Sequence, residues 1–238
     1  MLSEVDKEYL TELKKILVSN CAICQGSGRD CECQQKFSVE IKKAQAHIPI
    51  KYRQFTLEDI TVPESKNTKE KVKVYMSDLK AKKKNGEGLF LWSENKGTGK
   101  TTLGNIVLMK ALYEGYTGYF TDLDECISLT TEGWFDDSKK KEFEHQILET
   151  DFLLIDDIGG LEVRTKGNLP LIQTTFTSLF KKRCNRLLPT IMTSNLEPSR
   201  LTDGYGERIY SVACEHLQSI ECEGTDYRQT ELAKRKAR

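Results

Sequence analysis

The residues best suited to chemistry begin at Gly97-Thr98-Gly99-Lys100-Thr101-Thr102. This segment follows a short apolar run, LFLW at 89–92, and opens a stretch of helical periodicity. Glycines at 97 and 99 let backbone N–H groups converge on phosphate oxygens, and a helix N-terminus adds the positive end of its dipole. Lys100 is spaced to reach the β- and γ-phosphates of a nucleotide, and Thr101 to ligate Mg²⁺. One position departs from G-x-x-x-x-G-K-[ST]: Glu94 stands where the first glycine belongs. Its carboxylate must point away from the phosphates, or it would repel them.

Two further strand ends complete such a site. Phe152–Ile155 is a short buried run ending in Asp156-Asp157, and ligands bind outside the C-terminal edge of a parallel sheet. Asp156 is placed to hold Mg²⁺ through water, and Asp157 to orient or activate the attacking water. Aspartate is one methylene shorter than glutamate, so slow turnover is expected. A later run, Leu188–Thr193, ends in Ser194-Asn195, and Asn195 can set an amide between that water and the γ-phosphate.

Cysteine supplies the other constellation. Cys21, Cys24, Cys31 and Cys33 form CAICQGSGRDCEC, spaced C-x₂-C-x₆-C-x-C. Four thiolates suit tetrahedral Zn²⁺, and glycines at 26 and 28 let the loop fold over a metal. Thiolate spacing alone does not choose the metal, so an iron–sulfur cluster or a redox pair stays open. The other cysteines, 126, 184, 214 and 222, are scattered and read as small buried apolar residues. His47, His145 and His216 have no evident partner.

The elements around these groups follow from periodicity. Val5, Tyr9, Leu13, Ile16 and Leu17 mark a helix over 4–18, and a second helical run covers 36–46 before Pro49. Residues 50–63 read as extended and irregular, with Tyr52, Phe55 and Leu57 as docking side chains. From Glu64 to Lys84, eight lysines against three acids predict one amphipathic helix with a solvated lysine face, where nucleic acid could also touch. Beyond Asn85-Gly86, apolar runs at 89–92, 116–121, 152–155, 187–193 and 217–222 alternate with helical stretches. That alternation predicts an α/β domain with a parallel sheet and crossover helices. The resulting division is a helical cysteine module (1–48), a linker with the amphipathic helix (49–86), a nucleotide domain (87–230) and a basic tail (231–238).

Composition bounds the function. The 238 residues carry 36 Lys+Arg and 36 Asp+Glu, so a wholly cationic, histone-like surface is excluded, though not a local basic patch. Charge is segregated, with twelve acids against three lysines in 122–157. No apolar run exceeds four residues, where a membrane helix needs about 20. The N-terminus also lacks the basic and apolar regions of a signal peptide, so a cytoplasmic protein is expected.

Taken in order, IPIKYRQFTLEDI, KGTGKTTL, LLIDDIG, TSN, YGERI and DYR resemble the DnaC/DnaI replicative helicase loaders, within the AAA+ ATPases. The cysteine module is similar to the zinc-binding N-terminal region of DnaI-type and phage loaders, and reads as an adaptor gripping the helicase. The resemblance implies a five-stranded parallel sheet and ATP- and Mg²⁺-dependent loading of a hexameric DnaB-type helicase, in a bacterium or a phage-infected host cell. It also implies single-stranded DNA binding and head-to-tail self-association when ATP is bound. Carried over residue by residue, Gly97 to Thr102 and Asp156 hold the nucleotide and its magnesium, and Asp157 and Asn195 act in hydrolysis. Arg228 in DYR matches the arginine that reads the γ-phosphate from the lid. The family commonly has two arginines four residues apart after GER; here they are Arg208 and Val212, leaving Arg208 as the trans-acting candidate.

Two other readings share this core: an IstB-like helper ATPase of transposition, which the cysteine module argues against, and a nucleotide-gated adaptor with little hydrolysis, which Glu94, Asp157 and Val212 favour. For DNA, the basic candidates are Arg164, Lys166, Lys181, Lys182, Arg183, Arg186 and the tail, and Phe120 and Trp134 are aromatics that could stack on bases.

Overall fold

The computed structural model describes residues 2–29, 31–60, 65–133, 135–159 and 169–227. Five short strands, β1 (Gly88–Trp92), β2 (Gly118–Asp122), β3 (Phe152–Asp156), β4 (Thr190–Ser194) and β5 (Leu217–Glu221), form one sheet in the order β2-β3-β4-β1-β5. Every pairing is parallel. Leu89, Leu91, Phe152, Leu154 and Ile191 feed one core; Phe90, Leu153, Ile155 and Met192 feed the other. Because both faces are covered, the strands read as continuous apolar runs rather than alternating ones. At Gly88 a Cβ would lie 2.1 Å from the Thr190 carbonyl oxygen, so only glycine admits this approach of β1 to β4.

The first core is closed by α3 (Lys66–Met76), α4 (Leu79–Asn85) and α5 (Lys100–Tyr113), and the second by α6 (Leu123–Glu132), α7 (Asp137–Phe143), α8 (Leu169–Asn185), α9 (Leu201–Tyr205) and α10 (Glu207–His216). Among the described residues no helix is long and apolar enough to cross a membrane. The expected single helix over 64–84 is two. Asp78 accepts a hydrogen bond from Ala81 N (2.9 Å) and so caps a new helix in place of continuing the old one. Gly86, at φ 67°, ends α4, with Glu87 N donating to Lys82 O (2.9 Å). Residues 50–60, expected to be extended, instead hold two 3-10 turns, Ile50–Tyr52 and Leu57–Asp59, the second closed by a Thr56/Asp59 capping box.

The N-terminal helices α1 (Glu4–Lys14) and α2 (Glu32–Gln45) have their own small core of Leu10, Val18, Cys31, Cys33, Phe37 and Ala44. They also touch the sheet domain. Ala46 O accepts from Phe120 N (2.8 Å) at the β2 edge, and the His47 ring packs on Tyr119 at 4.8 Å between centroids. Arg53, buried in the linker, pairs with Asp6 and donates to Ile48 O (2.8 Å). Phe120 is half-buried against the core, beside that contact.

Two sequence expectations are corrected here. Arg183 does not face nucleic acid: it is fully buried and donates to the carbonyls of Ile147 (2.6 Å), Thr150 (3.1 Å) and Pro189 (2.8 Å) and to Thr190 Oγ1 (3.0 Å). In a run of three basic residues it looks solvated, but its planar fork satisfies buried carbonyls that would otherwise be orphaned. Cys214, expected to be buried, is exposed, while Cys126, Cys184 and Cys222 are buried. Arg183→Met strips the partners from several buried carbonyls at once. We expect a loss of about 3 kcal/mol or more of stability, a fall of about 10 °C in Tm, readable by calorimetry.

Candidate functional site

The ends of β1, β3 and β4 bring the expected groups together. The loop after β1 places Gly97 (φ 73°) and Gly99 (φ 86°) in the left-handed region, and Gly99 immediately precedes α5. Lys100, the first residue of that helix, is buried and donates to Ser93 O (3.2 Å), Asn95 O (2.9 Å) and Thr98 Oγ1 (3.4 Å). Its ammonium therefore lies inside the curl of the loop. Glu94 is exposed and does not line the cleft, as its position in the motif demands.

Asp156 ends β3. Its Oδ1 accepts from Thr101 Oγ1 (2.8 Å) and from Thr193 Oγ1 (2.6 Å). Burial pushes this carboxyl up, the two hydroxyls hold it down, and the negative charges of Asp157 and Asp122 raise it further. A cation beside it would relieve that repulsion. Asp157 follows at φ 54°, in the left-handed region that costs an ordinary residue about 1–3 kcal/mol. Asn195 Nδ2 donates to Asp157 Oδ1 (3.2 Å). Together with Lys96–Thr102, these residues line a cleft of about 900 Å³.

The cleft has walls that motif reading left unassigned. Lys51, Tyr52 and Phe55 of the linker border it, and so does Tyr227 beyond β5. A recess beside it is lined by Phe55, Ile60, Thr102 and Tyr227. Tyr227 N donates to Gly97 O (3.0 Å), and a Cβ at Gly97 would strike the Asp226 carboxylate at 1.8 Å. Gly97 is thus needed twice, for its φ and for the close approach of the segment after β5. The signal for the linker residues was their aromatic type beside Pro49; Asp226 stood in the DYR motif, but nothing in the sequence marked its approach to Gly97.

Arg208 is exposed in the first turn of α10 and forms no ion pair with a described residue, whereas Val212 packs against the second core. The helix turns position 212 inward, so valine there serves packing. Lys182 and Arg186 are exposed, though Arg186 donates to Leu148 O (3.1 Å), and Lys181 is half-buried. Trp134, Arg164, Lys166, Arg228 and the basic tail lie outside the described residues.

In the N-terminal module the four cysteine sulfurs lie within 4.8 Å of one another. Cys21 and Cys31 are 3.7 Å apart, and Cys24 and Cys33 3.6 Å. A tetrahedron with Zn–S bonds of about 2.3 Å has sulfur–sulfur edges of about 3.8 Å, so the donor set fits a four-coordinate thiophilic cation. Gly28 N–H donates to Cys24 Sγ (3.3 Å) and pulls that thiol down to about 6, while withdrawal from water and the neighbouring sulfurs push Cys33 up to about 12. Four sulfurs this close cannot all ionise without a cation among them.

No protein-family model matches the chain, and no curated protein does. Solved structures do. A DnaC helicase loader superposes with a TM-score of 0.62 at 21% identity, over 73% of this chain and 99% of that one. DnaI gives 0.60 at 19% identity, over 73% and 94%. The replication initiator DnaA, bound to AMPPCP and single-stranded DNA, gives 0.56 at 24% identity, over 73% of this chain and 50% of that one. The core is an AAA+ fold. In this AAA+ core the cleft sits where the chain order reverses across the sheet, β1 lying between β4 and β5.

Proposed function

We propose that the chain is an ATPase that loads a hexameric DnaB-type replicative helicase onto single-stranded DNA in the cytoplasm of a bacterium or phage-infected cell. The observation that carries the reading is the convergence of Lys100, Thr101, Asp156, Asp157 and Asn195 on one cleft, with Thr101 Oγ1 2.8 Å from Asp156. In this reading the loop 97–102 holds the triphosphate, with Lys100 leaving its loop carbonyls for the β- and γ-phosphates. Thr101 and Asp156 would hold Mg²⁺, which supplies charge neutralisation at the phosphates when bound. Asp157 takes the proton of the attacking water while Asn195 fixes its direction. Phe55, Ile60 and Tyr227 offer apolar surface to the base. Arg228 would read the γ-phosphate from the segment after β5, and Arg208, free of described partners, would reach a neighbouring copy in a head-to-tail array.

The cysteine cluster is a structural zinc site in this proposal, and the module around it the helicase grip. It belongs to residues 1–48, joined to the AAA+ core (87–230) through 49–86. Support comes from the sulfur geometry and from a core of six buried residues too small to hold two helices unaided. Cys24→Ser should lower zinc affinity by at least about 100-fold and expose α1 and α2 to protease, with nucleotide affinity changed little. Metal release on thiol titration, limited proteolysis and analogue binding read the three.

The deciding experiment is ATP turnover by the full chain, alone and with single-stranded DNA, together with co-sedimentation against a DnaB-type hexamer. Turnover with helicase binding supports the proposal. Tight ATP binding without turnover would turn it toward a nucleotide-gated adaptor, and a transposase partner toward an IstB-like helper.

A further inference from the structure

We infer that Thr193 is the positioning residue for both acidic groups of this site; the inference rests on the ATPase reading. The β3–β4 ladder is registered through Ile155↔Met192, and beyond that pair the backbone stops supplying partners in step. Thr193 takes over with its side chain. Its hydroxyl donates to Asp156 Oδ1 (2.6 Å) and accepts from Asp157 N (2.9 Å), while its carbonyl accepts from Ile158 N (2.9 Å). One buried residue, 2% exposed, therefore holds three consecutive positions of the other strand's end.

The middle one is Asp157, at φ 54°. Aspartate enters that region more readily than most side chains, but it is uncommon there, and at Asp157 the neighbouring hydrogen bonds hold it. The hydroxyl fixes its N–H from below, and Asn195 fixes its carboxylate from the side at 3.2 Å. Without the hydroxyl, Asp157 is free to relax toward ordinary φ, which swings its carboxylate off the water's path. The same loss leaves Asp156 with Thr101 as its one remaining hydroxyl partner among the described residues, and in this reading Thr101 is the group that must turn to the metal.

The test separates the hydroxyl from the methyl. Thr193→Val keeps the shape and the methyl, which lies 3.5 Å from where a Cβ on Gly104 would stand; Thr193→Ser keeps the hydroxyl. For Val we expect kcat to fall by about 100-fold with KM for ATP within about 3-fold, since misplacing a catalytic group by about 1 Å costs that much. Ser should remain within about 3-fold of the unsubstituted chain. Should Val not fold, Thr193→Cys, of similar size and weak in hydrogen bonding, should fall in the same direction. An active Val variant, or an impaired Ser beside an active Val, would overturn the inference in favour of packing.

Absent turnover in the unsubstituted chain would overturn the ATPase reading itself. Thr193 is then decided by magnesium titration of the binding of a β,γ-methylene ATP analogue. Val should raise the magnesium half-saturation by about 10- to 100-fold, as loss of a metal ligand's outer partner does, and Ser should not. Equal values for all three chains would overturn it.

Discussion

Lys100→Ala should weaken Mg-ATP binding by about 100-fold or more. In the structure the ammonium is held by two carbonyls and a threonine hydroxyl inside the loop, so it is already desolvated and already aimed along the loop axis. Moving it to a triphosphate exchanges neutral acceptors for charged ones, and charge-assisted hydrogen bonds run at about 1.5–3 kcal/mol each. Two such bonds amount to roughly 3 kcal/mol or more, which is the stated factor in a dissociation constant. Alanine costs the loop its internal ties as well. A Lys100→Met control loses the same donor but keeps the length of the stem: both variants should lose analogue binding in calorimetry and lower Tm, alanine by more because it also empties the space the stem fills. Retained affinity in both would remove the phosphate role from Lys100.

Asp157→Asn should leave analogue affinity within a few-fold and reduce turnover by about 100- to 10,000-fold, the range for deleting a general base. The amide is isosteric and keeps the contact with Asn195 available through its oxygen, so the φ 54° backbone need not move. Two outcomes are informative. Turnover that survives would transfer the base role to another carboxylate of the cleft. Turnover that falls together with affinity would mean that Asp157, not Asp156, carries the magnesium. Single-turnover assays beside analogue calorimetry separate the two.

Much of this was legible in the residues. The five strands fall on the apolar runs, and the loop 97–102, Asp156, Asp157 and Asn195 meet where a parallel sheet with these motifs at its strand ends must bring them. Most of what was not legible has one cause: side chains whose surroundings come from distant sequence. Arg183 sits in a basic run and looks solvated, yet it collects carbonyls from residues 147 to 150 and 189. Asp226 lies beyond the last strand and meets Gly97 only in three dimensions. Thr193 looked like one more residue of a buried strand, because nothing local tells a threonine that packs from one that organises its neighbours. The break at Asp78 was local, and was overlooked because a lysine-rich periodicity continues across it.

The order of the sheet has a consequence for how the protein is made. The strand that leads into the loop 97–102, β1, lies between the last two described strands in chain order: Leu89 pairs with Ile191, and Gly88 with Leu217. Both flanks of β1 are therefore missing until about 100 to 130 further residues have been made, through Ser194 for one flank and Glu221 for the other. Such non-local pairing makes folding slow and leaves an apolar strand with open edges on the nascent chain. The cleft cannot close early either, because Asn195 and Tyr227, which line it, arrive after those flanks begin to form. A shortened translation product ending before β5 would keep the whole loop 97–102 in its sequence and still be an aggregation-prone species. Chaperone dependence during synthesis, rather than stability once folded, should limit how much active protein a cell accumulates.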